Sequence, residues 1–252
     1  MKNPFLDFKN VTLTDKEIPL DRMVRKHRYV MDALMAAFHC LAQDRVKELC
    51  RLLDHGMRFN MYKSWLPGIE MPKLLESTLT NAEAVYQSSL GLIPTVEYTS
   101  NDIEELCAFY QLSKEADFEK FGPMGIYLSA LINASKEQYF ELNLHNPQSR
   151  LHFLGYRLEE GKHLSVHGDV GHFTGAGLRG GYLKIAGSTG SWCGADMTSG
   201  RIEITGDALS KTGIQMRGGQ IHVHGQVHEI AKDRSGGEIR SEDDKRCHAE
   251  SE

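Results

Sequence analysis

The chain of 252 residues carries 29 Lys and Arg against 34 Asp and Glu, a net charge of −5. The two signs are interspersed, so no global basic field draws it onto nucleic acid or anionic lipid. No apolar run approaches the ~20 residues of a membrane span, and the start Met1-Lys2-Asn3-Pro4-Phe5 has no signal-peptide core, so a cytoplasmic protein is expected.

Residues 1–135 read as a small helical domain, because apolar residues recur at helical intervals. Val24, Met31, Leu34, Met35, Phe38 and Leu41 form one stripe behind Asp21, the expected N-cap. Leu49, Leu52 and Leu53 predict a second helix that stops at Gly56, and Pro72 suits the first turn of a third. Asn101 with Glu104 reads as a capping box for a helix over 103–111, and Pro123 as the opening of one over 124–132. Around Tyr139 the period changes toward two: Phe140, Leu142 and Leu144 alternate with Glu141 and Asn143.

A repeat follows, with a step of 19 residues. Four strand-like segments, 164–167, 183–186, 202–205 and 221–224, each end at a glycine: Gly168, Gly187, Gly206 and Gly225. A second column, Gly175, Gly194 and Gly213, keeps the step, as do Leu178, Met197 and Met216 and the closing glycines Gly181, Gly200 and Gly219. Strand side chains alternate, so Leu164 and Val166 and their successors share an inner face, while Ser165, Lys184, Glu203 and His222 point outward. Strands of one polarity at constant spacing, with no helix pattern between them, predict a β-solenoid over 136–231. Residues 232–252 are charged and poor in large apolar side chains, and a disordered tail is expected there. The predicted fold class is α+β, a helical domain followed by a short parallel β-helix.

Several motifs have competing readings. Gly175-x-Gly177-x-x-Gly180 matches a dinucleotide fingerprint, but it leads into a strand rather than a helix and two of its glycines belong to the repeat columns. His222 and His224 share a strand face with His228 close behind, a pattern that suits a metal ion or simply a solvated histidine face. Arg22, Arg25, Lys26, His27 and Arg28 form a basic patch that reads first as a solvated helix face. Cys193, beside Trp192, has no local cation to activate it, so packing is the simpler account. The five cysteines, Cys40, Cys50, Cys107, Cys193 and Cys247, are scattered without a Cys-x-x-Cys pair, which argues against a disulfide framework, a zinc knuckle or an iron–sulfur cluster.

The segment 167–181 and its successors resemble the GXGXG repeat family, which includes a subunit of formylmethanofuran dehydrogenase and the C-terminal domain of the glutamate synthase large subunit. The resemblance covers about residues 160–226, with Asp196 and Gln215 standing where the second glycine of the core would be. It implies a right-handed parallel β-helix with a structural role in a larger assembly. The expected function is thus a non-catalytic scaffold or accessory subunit of a cytoplasmic oxidoreductase or amidotransferase complex. Its partner would be a protein, with no nucleic acid, no membrane and no cofactor of its own, and a homo-oligomer stays open. A reading from another class places an enzyme or ligand site where helices meet the first coil, near His145, His152, Tyr156, Arg157 and His163. A third gives the metal role to His222, His224 and His228.

Overall fold

A computed structural model describes residues 19–41, 43–61, 71–93, 97–112, 123–144 and 150–242. Five helices precede a sheet of six strands: α1 (Pro19–His39), α2 (Gln43–Met61), α3 (Met71–Leu92), α4 (Ser100–Leu112), α5 (Met124–Ala134), β1 (Tyr139–Asn143), β2 (His163–His167), β3 (Arg179–Ala186), β4 (Ser199–Ile204), β5 (Gln220–Val223) and β6 (Glu238–Ser241). Every neighbouring pair is parallel and the strands lie in chain order. Each coil therefore stacks on the one before it, and the chain forms a parallel β-solenoid.

The register aligns Phe140, Leu164, Leu183, Ile202, Ile221 and Ile239 in one ladder, and Leu142, Val166, Ile185, Ile204 and Val223 in another. A further ladder runs through the corners: the rings of Phe153, Phe173 and Trp192 stack at 4.7 and 4.8 Å. Stacking at the coil spacing explains one glycine column. A Cβ on Gly187 would lie 2.4 Å from the Gly168 carbonyl oxygen beneath it. The column of the Gly-x-Gly core is set by dihedral angle instead: Arg157, Gly177, Asp196 and Gln215 hold φ of 52°, 65°, 53° and 55°, so three side chains stand where glycine is favoured.

The solenoid is longer than the regular step suggests. The expected tail from 232 contains β6, which pairs with β5 along Gln220–Val223 and buries Ser241. Its step is 18 residues, Gln220 to Glu238, so Ala231 rather than Lys232 follows the Gly213 column, and Gly237 closes the coil as Gly219 does. Disorder is thereby corrected for 232–242, because backbone pairing and the Ile239 side chain over Gly213 hold a segment that composition alone leaves charged. Residues 243–252 lie outside the described residues.

Three helix boundaries also differ from expectation. Asp21 lies inside α1, which begins at Pro19, and α2 runs through Gly56 to Met61. At α4 the reciprocal cap belongs to Thr99 and Asp102: the Thr99 amide donates to Asp102 Oδ2 at 2.8 Å, while Asp102 N–H donates to Thr99 Oγ1 at 3.4 Å. Glu104 instead accepts from Asn143 Nδ2 on β1 at 2.5 Å, tying the helix to the first strand. In the basic patch, His27 reaches Asp102 and Glu105 of α4, at 3.1 and 2.7 Å; the side chains of Arg22 and Arg25 lie outside the described residues.

One continuous apolar core joins the helices to the solenoid, and α5 lies at its centre with Met124–Ile132 wholly buried. No described helix is long and apolar enough to cross a membrane.

Candidate ligand cleft and histidine face

A helix buried on every side must satisfy its polar side chains against backbone. Ser129 Oγ accepts from the amides of Gly155 and Tyr156, at 2.9 and 3.1 Å. One turn on, Asn133 Nδ2 donates to the Arg157 carbonyl at 3.1 Å and its Oδ1 accepts from Glu159 N–H at 3.2 Å. These bonds fix the first corner of the solenoid and turn Tyr156 and Arg157 toward α3. There Glu83 takes both: the Tyr156 hydroxyl donates to Oε2 at 3.0 Å, and Arg157 Nη1 lies 2.7 Å from Oε1. Burial, then the Glu83 charge, pushes the Tyr156 phenol well above its ordinary range, so it remains a donor.

Above this pair opens a cleft of about 510 Å³, lined by Leu79, Thr80 and Glu83 of α3 and by outward positions of successive coils. Arg157, Arg179 and Arg217 face it, together with Asp196 and Thr198. Gly177 forms part of the floor between Arg157 and Asp196; a Cβ there would meet Arg157 Cγ at 3.2 Å. Arg217 pairs with Asp196. Arg179 has no ion-pair partner among the described residues. Three guanidinium groups against two carboxylates leave the cleft with an excess positive charge. Its size lies within the ~300–1,000 Å³ of small-molecule sites.

Of the five junction residues, Tyr156 and Arg157 line this cleft. His152 does not: its ring is buried, stacked on His172 at 5.2 Å, and Nδ1 accepts from the His172 amide at 2.9 Å. His172 repeats the bond with the Ser191 amide. Burial lowers both imidazoles, to about 3 for His152 and about 4 for His172, so they are neutral structural acceptors. His163 stands on the outer face of β2, stacked on Tyr139 at 4.8 Å. His145 lies outside the described residues. The residues missed by sequence reasoning, Glu83, Arg179, Asp196 and Arg217, come from a helix and three coils that only the fold brings together. The outward columns of the repeat were the available signal, since Arg179 and Arg217 recur at two steps of 19 residues.

On the outer sheet face, His222 and His224 lie with ring centroids 4.4 Å apart. Their neighbour is Glu242, just beyond β6, whose Oε1 is 3.1 Å from His224 Nδ1. His228, exposed beyond the next corner, belongs to no potential metal-binding group among the described residues, because the corner carries it away from the β5 face. Glu203 receives the Tyr182 hydroxyl at 2.8 Å, and that bond, ahead of the His224 contact, holds its carboxyl below the usual range. Lys184 is its register neighbour, as the repeat predicts. Cys193 is fully buried and its thiol is pushed up to about 12 by desolvation, which disfavours a reactive thiolate.

Compared with protein-family models, with curated proteins and with solved structures, the chain matches none.

Proposed function

We propose that this chain is a ligand-binding protein whose junction cleft takes a small polar anion bearing a carboxylate or phosphate. The observation that carries this reading is the convergence of Arg157, Arg179 and Arg217 on one cleft at the seam of α3 and the solenoid. Arg179, without a carboxylate of its own among the described residues, is the anchor for a bidentate oxyanion contact. Glu83 and Asp196 hold the flanking guanidinium groups and accept from hydroxyl or ammonium groups elsewhere on the ligand.

The test is thermal denaturation and calorimetric titration of the full chain against inorganic phosphate, a sugar phosphate, a dicarboxylate and an amino acid. The expected result is saturable binding of at least one, lost in Arg179→Ala and Arg217→Ala. A flat response to the whole set, or binding unchanged in both variants, rejects the reading.

A second reading, the accessory subunit of an oxidoreductase or amidotransferase-type complex built on a right-handed GXGXG-type β-helix, is favoured by a different observation. Among the described residues no strand pairs with the outer edge of β6. An open solenoid end offers backbone donors and acceptors to a protein partner or to a second copy. Native mass spectrometry after gentle isolation decides it: a stoichiometric complex supports the subunit role, and a bare monomer refutes it.

A further inference from the structure

We propose that the outer sheet face binds a divalent transition-metal ion of the zinc, nickel or copper class through His222, His224 and Glu242. The site is separate from the cleft and does not rest on what the cleft binds.

The ligands converge through the stacking of the last two coils. His222 is two residues from His224, so both rings leave the same face of the strand. The β5 and β6 register pairs Val223 with Ser241, which sets Glu242 opposite His224 on the next coil. One donor atom from each of the three lies within 4.8 Å of the others. Tetrahedral zinc with ligands at about 2.0–2.2 Å needs its donors about 3.3 Å apart. The His224 and Glu242 atoms already meet this, and a small rotation of partly exposed side chains brings His222 in.

Two further features distinguish this group from a chance surface cluster. His222 makes no hydrogen bond to any described residue, so its nitrogens are free to ligate. His224 offers Nδ1 toward Glu242 while its Nε2 lies 3.5 Å from Glu203 Oε1. A carboxylate on the second imidazole nitrogen is the arrangement that orients metal-bound histidines. Glu203 is itself held by the Tyr182 hydroxyl at 2.8 Å and by Arg201 at 3.4 Å. The cation nearest in register, Arg240 opposite His222, is bound to Glu238 at 2.6 Å along its own strand. Two imidazoles and one carboxylate leave a fourth position for water or an outside ligand.

The experiment is calorimetric titration of the metal-stripped full chain with zinc, joined by the visible absorption of its cobalt(II) form. A zinc equivalent should be lost in the double variant His222→Ala/His224→Ala, together with the tetrahedral cobalt bands. Glu242→Gln should weaken that equivalent at least tenfold, and the positioning variant Glu203→Gln about 10–100-fold. His228→Ala should leave it unchanged. All five side chains are at least partly exposed, so unaltered thermal melting of each variant separates ligand loss from misfolding. Absence of zinc binding by the parent chain, an undiminished stoichiometry in the double variant, or an equal loss in His228→Ala overturns the proposal.

Discussion

Gln215 holds φ of 55° at a corner where Gly177, two coils earlier, holds 65°. A side chain in the left-handed region costs about 1–2 kcal/mol, of which glycine's larger unfolded-state entropy returns part. Gln215→Gly should therefore stabilise the chain by about 0.5–1 kcal/mol, read as a higher denaturant midpoint at unchanged slope. Gly187→Ala should act oppositely, by about 3 kcal/mol, because its Cβ meets a carbonyl 2.4 Å away that coil stacking fixes in place. The buried histidines yield a pH prediction with a definite sign. Above the ordinary value of 6.5, His152 and His172 are neutral in both the folded and unfolded chain and add no pH dependence. Below it the unfolded chain takes up two protons that the folded chain refuses until about 4 and about 3, so stability falls with falling pH across that window. The slope approaches about 2.7 kcal/mol per pH unit when both are involved. In His152→Asn/His172→Asn, where an amide oxygen replaces each accepting nitrogen, denaturation between pH 4 and 6.5 should show a correspondingly flatter slope.

At the scale of elements, α5 ties the helices to the solenoid: its polar side chains bond the backbone of the first corner, whose Tyr156 and Arg157 side chains Glu83 of α3 holds. Ser129→Ala would leave the buried amide of Gly155 without its acceptor, at about 1–3 kcal/mol, while the Tyr156 amide keeps the Phe153 carbonyl at 3.1 Å. The expected outcome is a loss of about 1–3 kcal/mol in chemical denaturation, with weaker ligand binding in the cleft because the corner that carries Tyr156 and Arg157 loses part of its anchorage. Unchanged stability would mean that water replaces the hydroxyl. Helix 124–132 was legible from its proline and its apolar run, and an apolar run with Ser129 and Asn133 inside it already implies that those two bond to something buried. What they bond to was not legible, because Gly155 and Tyr156 belong to a coil whose strand lies 24 residues from the next, Tyr139 to His163, rather than 19. Inner columns such as Leu183, Ile202 and Ile221 could be read directly, since alternation and a constant step coincide there. The cleft could not, because Glu83 sits on a helix with no sequence relation to Arg179 or Arg217.

At the scale of the whole molecule, the last coil decides how the solenoid ends. Charge and the lack of large apolar residues from 232 onward suggest a tail that can be removed without effect, whereas the structure gives that segment a strand. Ile239 completes the ladder above Ile221 and reaches the space over Gly213, and Gly237 closes against Met216. Removing 232–252 would uncover Ile221 and Met216 and free the edge of β5. Exposure of one or two such side chains amounts to about 2–4 kcal/mol, or a melting temperature lower by roughly 5–12 °C for a chain of this size. An uncharged β5 edge beside exposed Ile221, in place of the β6 edge with its Glu238 and Arg240, should also promote self-association, visible as concentration-dependent light scattering. Ile239→Ser separates the two effects, because it removes the apolar contact while keeping the β6 backbone. It should lower the melting temperature without the scattering, whereas a truncated chain that melts at the parent temperature would mean that the solenoid already ends at β5.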